Sequence, residues 1–381
     1  MRLTPPSHQR QSVSRPYSRS PGGLLVPLHA TLAGRVRWQV LDERGVPEIP
    51  RTPSGTPVGP TEGVEQPNLI TDLGMDRMAV LDAFGVLPGS TATWRRRMAV
   101  GTGSTAPDVS DTTLDNEVQR DASAGTFNNG STSYELDATA NVWTATSVVR
   151  RVVTMTADRN LTEFGFAQNT TADIIIRELL RDGGGTPITV SLLTGKTLLV
   201  THTLIVELPA PVAGLSASIN IEEYDAGNNL TATIPVDVTH GGHTSTLADQ
   251  TGIPLVWDAW VPHKQGLDGV RAVTNDGVTY ARDSALETGA DLDPQTSTNT
   301  APQGTYSTPS YANGSFQRIK RWELSAGQLN RAWHGYALTG GQSSVSTRRS
   351  GWLVVFDGST SYTKVNTDTL RVGFVSTWAR A

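Results

Sequence analysis

Residues 197–208 read TLLVTHTLIVEL, and apolar and polar side chains alternate here more clearly than anywhere else in the chain. One face of this stretch carries Leu198, Val200, His202, Leu204, Val206 and Leu208. The opposite face carries Thr201, Thr203 and Glu207. A period of two with one apolar face is typical of a β-strand that has one side in a core. The stretch therefore predicts a long, half-buried strand.

Similar strand patterns recur on both sides of this stretch. In residues 35–41, Val36, Trp38 and Val40 alternate with polar residues. Residues 188–192 precede a Thr194-Gly195 turn and predict a hairpin with the 197–208 strand. Further strands are expected at 94–100, 141–157, 161–166, 174–180, 219–238, 316–324, 352–356 and 370–375.

A helical pattern lies at residues 69–84, where apolar residues are spaced by three to four and Asp72 is the expected N-cap. The chain contains 37 glycines and 22 prolines, and 18% of its residues are charged. This composition is typical of short strands joined by many turns. We therefore expect an all-β protein. Its core would be an antiparallel β-sandwich, jelly-roll-like, with one short helix, long loops and an extended N-terminal arm.

The arm is expected at residues 1–30, where Arg2, Arg10, Arg15 and Arg19 precede the first acidic residue, Asp42. Prolines at 5, 6, 16 and 21 disfavour a helix there. We interpret the arm either as a disordered tail or as an extended segment that becomes ordered by lying across a neighbouring subunit. After it we expect a β-sandwich domain at 31–209 and an inserted or second β region with a long loop at 210–314. Strands at 315–381 would complete the β core.

Charge and composition also exclude some functions. The chain has no cysteine, so neither a disulfide nor a thiolate metal site is available. Its net charge of −5 gives no overall attraction to nucleic acid. No apolar run approaches the roughly 20 residues that span a bilayer as a helix. We expect a soluble protein made in a cytoplasm, with no nucleic-acid partner and no membrane insertion.

Three short segments resemble segments that occur together, in the same order, in virion structural proteins of tailed bacteriophages. They are NLITDLGMDRM at 68–78, VGTGSTAPDVSDT at 100–112 and STWAR at 376–380. The resemblance covers roughly residues 68–208 and 315 to the C-terminus. Residues 43–67 are rich in glycine and proline, so we expect them to form a loop that takes part in no β-ladder.

The resemblance implies a structural component of the virion, in the tail, baseplate, collar or fibre apparatus, made in the bacterial host cytoplasm. Its partners would be other copies of itself and other tail or connector proteins. The alternative is a host-surface receptor or carbohydrate-binding protein of the tail, with a cell-surface glycan as partner; a polysaccharide depolymerase is less favoured. Trp257 and Trp260 are the candidate contacts to a glycan or a subunit, because indole rings favour such surfaces.

No residue set in the sequence predicts catalysis, so we expect no catalytic residue, no cofactor, no metal and no enzyme activity. His240 and His243, with Asp249 as a third ligand, come nearest to a metal site, but two polar residues on a glycine hinge are the simpler interpretation. Arg95, Arg96 and Arg97 lie on a predicted strand. We interpret them either as an exposed strand edge kept soluble by charge or as a salt-bridged subunit contact.

Overall fold

The computed structural model describes the chain from Leu24 onward, with gaps. The described residues are 24–61, 63–79, 95, 97–121, 131–137, 139–140, 142–167, 173–209, 216–225, 229–241, 267–273, 305–307, 310–325, 327, 332–333, 335–340, 349–356, 362–363, 367 and 369–381.

Strands dominate the described residues, with one short helix, α1 (Asp72–Arg77). The strands are β1 (Leu24–Leu41), β2 (Pro47–Glu48), β3 (Val64–Ile70), β4 (Arg97–Gly101), β5 (Glu117–Arg120), β6 (Ser131–Asp137), β7 (Val142–Thr154), β8 (Arg159–Leu161), β9 (Glu163–Ala167), β10 (Ile174–Leu179), β11 (Val190–Leu192), β12 (Thr197–Pro209), β13 (Ser216–Tyr224), β14 (Leu230–Gly241), β15 (Leu267–Val273), β16 (Thr305–Ser307), β17 (Gln317–Leu324), β18 (Ala332–Trp333), β19 (Gly335–Gly340), β20 (Arg349–Phe356), β21 (Tyr362–Thr363) and β22 (Thr369–Arg380).

The first sheet is built around β1 and β12. Its described strands run in the spatial order β16, β17, β22, β1, β12, β7, β6. All these neighbours are antiparallel except β1 and β22, which run parallel from the Leu24–Val372 pair to the Leu32–Arg380 pair. The alternation seen in the sequence sets the register, because Val36, Trp38 and Val40 share the inner face with Val200 and Leu198.

The second sheet has the described order β3, β10, β9, β4, β5. Strand β3 belongs to both sheets, since its first residues pair with β1 and its last two with β10. The inner faces of the two sheets bury one common core, in which Trp38 and Leu204 belong to the same cluster as Met98, Phe164 and Phe166. The antiparallel β-sandwich with one short helix, expected from the sequence, is confirmed.

A further ladder extends from β22 in the order β13, β14, β20, β19, β15. Two small pairs, β8 with β11 and β18 with β21, complete the described strands. Strands β17 and β22 thus lie in the same sheet as β1 and β12. Leu24 to Ala30, which the sequence analysis assigns to the arm, belong to β1.

Several local expectations are wrong. The 188–192 segment forms no hairpin with β12, since β11 pairs with β8 across the Val190–Leu161 register. Residues 64–67 do enter a ladder: Pro67 pairs with Arg35 of β1, at the point where β3 leaves the first sheet. Thr71, not Asp72, caps the helix, and its side chain accepts a hydrogen bond from the Gly74 N–H. Residues 287–314 are almost free of apolar residues and predict a long surface loop, but the strand β16 lies within them.

Candidate functional site

Residues 102–116 connect β4 to β5 and fold back over the outer face of the second sheet. Leu114 is buried there in a small cluster with Ala99, Ala167 and Ile174, which lie on the side of the sheet away from the main core. This loop therefore has an inner side fixed on the sheet. Its outer side remains exposed at residues 104–106, 108–110, 112–113 and 115–116.

Glu163 of β9 fixes the inner side of the loop. Its carboxylate is fully buried and accepts hydrogen bonds from the backbone N–H groups of Gly103 at 3.0 Å, Asp115 at 3.2 Å and Asn116 at 2.8 Å. A Cβ on Gly103 would lie 2.5 Å from the Glu163 carboxylate and 2.3 Å from the Asp115 side chain. Glycine is therefore required at 103 by a close approach of the loop to the sheet.

Arg177 of β10 completes this buried network. Its guanidinium donates to Glu163 at 3.0 Å, to the Asp111 carboxylate at 2.6 Å and to the Thr105 carbonyl at 3.0 Å. Burial alone would lower the pKa of Arg177, but the hydrogen bonds to Asp111 and Glu163 outweigh it and raise the pKa above its ordinary value. Arg177 thus stays charged beneath the loop.

Helix α1 is joined to the same loop. The Asp72 N–H donates to the Val109 carbonyl at 2.7 Å, and the Thr71 N–H donates to the Ile175 carbonyl of β10 at 3.1 Å. The Thr71 hydroxyl also donates to the Ile174 carbonyl at 3.1 Å. The start of the helix is therefore fixed both to the second sheet and to the loop.

The C-terminal strand holds the other side of the helix. The Trp378 indole donates to the Met75 carbonyl at 2.9 Å. The Arg380 guanidinium donates to the Ile70 carbonyl at 2.7 Å and pairs with Asp72 at 2.6 Å. Tyr311 stacks on the Trp378 ring and donates to Asp76 at 2.7 Å; burial, followed by this hydrogen bond, raises the pKa of Tyr311.

The three segments singled out in the sequence, 68–78, 100–112 and 376–380, therefore meet in one hydrogen-bonded unit, which we call the corner. The sequence showed the segments but not their contact. Glu163, Arg177 and Tyr311, which hold the corner together, were missed. Glu163 and Arg177 occupy alternating positions in predicted strands, where a charged residue gives no sign that it is buried.

A second feature is a groove on the outer face of the first sheet, with a volume of about 700 Å³. It is open to solvent and is lined mainly by β1 and β12. Three residues lie side by side on neighbouring strands of this face: Arg37 of β1, Thr201 of β12 and Arg150 of β7. Arg35 and Arg37 share Glu65, at 3.4 Å and 3.0 Å. Since three arginines oppose one carboxylate among the lining residues, the groove carries excess positive charge.

The expectation for Arg95 as an exposed edge residue is wrong. Arg95 precedes β4 and is fully buried between the sheets. Its guanidinium contacts His202 Nδ1 at 2.7 Å and donates to the Ser147 hydroxyl at 2.7 Å. Burial, and secondarily the charge of Arg95, lower the pKa of His202 well below its ordinary value. His202 is therefore a neutral acceptor inside the core.

The other predicted contact residues lie outside the described part of the chain. These are Arg2, Arg10, Arg15 and Arg19 of the arm, together with Trp257, Trp260, His243 and Asp249. Among the residues that the structure does describe, no group of three or more potential metal-ligating side chains is found. The same part of the chain contains no helix long and apolar enough to cross a membrane.

Comparisons with protein-family models, with curated proteins and with solved structures find no match for this chain.

Proposed function

We propose that this chain is a structural component of a tailed-phage virion, in the tail, baseplate, collar or fibre apparatus, and that it acts by oligomeric assembly. The resemblance of the three segments motivates the proposal. The single observation that supports it most is that these segments, joined by hydrogen bonds between residues up to 310 positions apart, form one connected corner.

The construction of the corner suits a contact surface. Its inner side is held by the buried Glu163–Arg177 pair, by the helix cap at Thr71 and by Trp378. Its outer side exposes Val109, an apolar residue that is 38% accessible. A loop that is already rigid loses little conformational entropy when a partner covers it, so more of the contact energy is available for assembly.

The proposal is tested on the purified full-length protein by native mass spectrometry and electron microscopy. We expect a closed, symmetric homo-oligomer, since most soluble oligomers close by point-group symmetry. A trimer would place the chain in a fibre or spike, and six or twelve copies would place it in a collar or baseplate ring. Mass spectrometry of purified particles should then find the chain in fixed stoichiometry with other virion proteins.

Three results would contradict this function. The first is a protein that stays monomeric over the whole accessible concentration range and is absent from purified particles. The second is saturable binding to host glycans on an array by the monomer, which would favour the receptor role instead. Release of reducing sugars from host polysaccharide would point to a depolymerase.

A further inference from the structure

We infer that the groove on the first sheet binds the acidic loop 102–116 of a second copy of this chain, with the segment Asp108–Ser110 entering between Arg37 and Arg150. This inference rests on the proposed assembly function and names the surfaces that would carry it.

Arginines outnumber carboxylates among the described residues that line the groove. Arg35 and Arg37 both pair with the same carboxylate, Glu65. Arg150 lies on the exposed face of β7 and has no ion pair among the described residues. The Thr201 side chain lies between Arg37 and Arg150 and adds a hydroxyl donor. Guanidinium and hydroxyl donors on one face are suited to a carboxylate partner.

The loop has the complementary charge. Residues 102–116 contain three aspartates, Asp108, Asp111 and Asp115, and no lysine or arginine. The buried Glu163 and Arg177 beneath the loop cancel one another. Hydrogen bonds from the Ser110 side chain and backbone lower the pKa of Asp108, so this exposed carboxylate is ionised at neutral pH.

The apolar surface of the loop also has a counterpart in the groove. Val109 follows Asp108 at the exposed side of the loop. The groove is lined by Leu199 and Ile205 as well as by the arginines. A contact of this kind would bury apolar side chains at its centre with charged pairs around them, as protein interfaces commonly do. Because no aromatic side chain is among the lining residues, a protein segment fits this groove better than a sugar ring does.

The positions of the two surfaces exclude a contact within one subunit. The groove lies on the outer face of the first sheet, and the loop covers the outer face of the second sheet. The two faces are on opposite sides of the sandwich. The contact must therefore be head-to-tail between copies, an arrangement that closes into a ring when the rotation between subunits permits it.

The inference is tested by sedimentation of the full-length protein with single charge reversals. Arg150→Glu and Asp108→Lys should each weaken self-association about tenfold or more, because each places like charges opposite one another. Arg150→Glu combined with Asp108→Lys in one chain should restore association, because the two charges have exchanged places. Association of the wild type should also weaken as salt rises from about 0.05 to 0.5 M, since exposed charges are screened.

Matched controls separate this contact from a general effect of charge. Arg159→Glu and Glu135→Lys reverse exposed charges outside the groove and the loop and should leave association unchanged. Circular dichroism melts confirm that each variant folds. All four reversed residues are exposed, so none of the changes disturbs the core.

The inference is overturned if either reversal at 150 or 108 leaves association unchanged, or if the double variant does not recover. A symmetric oligomer that persists in both single variants would leave the assembly function standing and exclude only this contact. Loss of binding to an acidic polysaccharide in Arg150→Glu, with self-association unchanged, would assign the groove to a ligand and also overturn the inference.

Discussion

At the residue scale, several charged side chains of this protein are buried. Glu163, Arg177 and Arg95 are all almost fully buried. Each has hydrogen-bond partners from distant parts of the chain, and Arg177 reaches Asp111 across 66 positions. Pattern rules treat charged residues as exposed. The hydrogen-bond and ion-pair partners that offset the cost of burying these charges can be identified only when the pairing of the strands is known.

Glu163→Gln tests the buried pair. The substitution keeps the side-chain shape but removes the charge opposite Arg177 and turns an amide NH₂ toward backbone donors. We expect the free energy of unfolding to fall by about 3–5 kcal/mol, the range for breaking a buried ion pair. Backbone amides of 103 and 115–116 should exchange hydrogen faster. Chemical denaturation and hydrogen exchange measure both effects.

The control for this variant is Glu323→Gln, which removes a carboxylate that is 40% exposed and pairs with Arg371. Exposed pairs contribute about 0–1 kcal/mol, so its effect should be small. Equal losses of stability in the two variants would show that Glu163 has no special role in holding the loop.

His202 makes the stability depend on pH in a defined direction. Its pKa is lowered on folding, so the unfolded chain binds more protons below the ordinary value of 6.5. Stability from this residue is therefore complete above about pH 6.5 and is lost as pH falls from there toward the pKa of the folded state. The maximum slope for one proton is about 1.4 kcal/mol per pH unit.

His202→Leu should flatten the dependence of unfolding free energy on pH between about 7 and 5, whatever its effect on stability at pH 7. His29→Ala serves as a control, because His29 is exposed and its pKa is lowered only by partial burial. An unchanged slope in His202→Leu would mean that the pKa of His202 is the same in the folded and unfolded states, so that burial does not lower it.

At the scale of elements, α1 is short and depends on its cap. A helix of this length is unstable alone, so Thr71 and the contacts to β10 must hold it. Thr71→Ala removes the acceptor for the Gly74 N–H and the donor to the Ile174 carbonyl. We expect a loss of about 1–3 kcal/mol.

Thr71→Ser keeps the hydroxyl and should retain most of this stability, which thermal denaturation can measure. A serine variant as unstable as the alanine variant would indicate that the threonine methyl group, and not the cap, is what matters at this position.

Elements with strong local patterns were predictable. The sequence predicted β12 from alternation, β7 from its many valines and a C-terminal strand at 370–375, and the inward residues of β1 were assigned correctly. Which strands pair with each other was not predictable to the same degree. The parallel contact of β1 with β22 joins residues about 348 positions apart, and no turn between the strands specifies it. The hairpin expected for β11 failed because β8 supplies its partner instead.

The corner was predictable only in part, for the same reason. Its three segments were singled out because they resemble segments of tailed-phage virion proteins. Their convergence depends on β22 lying beside β1 and on β3 passing from one sheet to the other. Both are properties of the assembled sandwich.

At the scale of the whole molecule, β1 and β3 connect parts that would otherwise separate. Strand β1 pairs with β12 along one edge and with β22, β3 and β2 along the other. Strand β3 continues into the second sheet, and Trp378 of β22 holds α1, which is in turn bound to the loop. The two sheets should therefore unfold in one cooperative transition.

Trp378→Phe tests this coupling with a small change at one point. Phenylalanine keeps an aromatic ring against Tyr311 but loses the hydrogen bond from the indole to the Met75 carbonyl, which lies in α1. The Met75 carbonyl keeps the hydrogen bond that the Met78 N–H donates to it at 3.2 Å. Losing the indole hydrogen bond should therefore cost about 0.5–1.5 kcal/mol, in addition to the effect of the smaller ring volume. Because the sheets are coupled, hydrogen exchange monitored in denaturant should rise in parallel for β1, β10 and loop 102–116.

The matched control is Trp143→Phe, which makes the same change in a nearly buried tryptophan whose indole N–H has no hydrogen-bond partner among the described residues. Both variants lose the same ring volume, so the difference between their unfolding free energies isolates the Trp378 hydrogen bond. Equal destabilisation would mean that this bond contributes nothing.

If the second sheet stayed protected at a denaturant concentration that opens β1 and β22, the two sheets would unfold independently. The corner would then be a local contact and not the point where the molecule is held together.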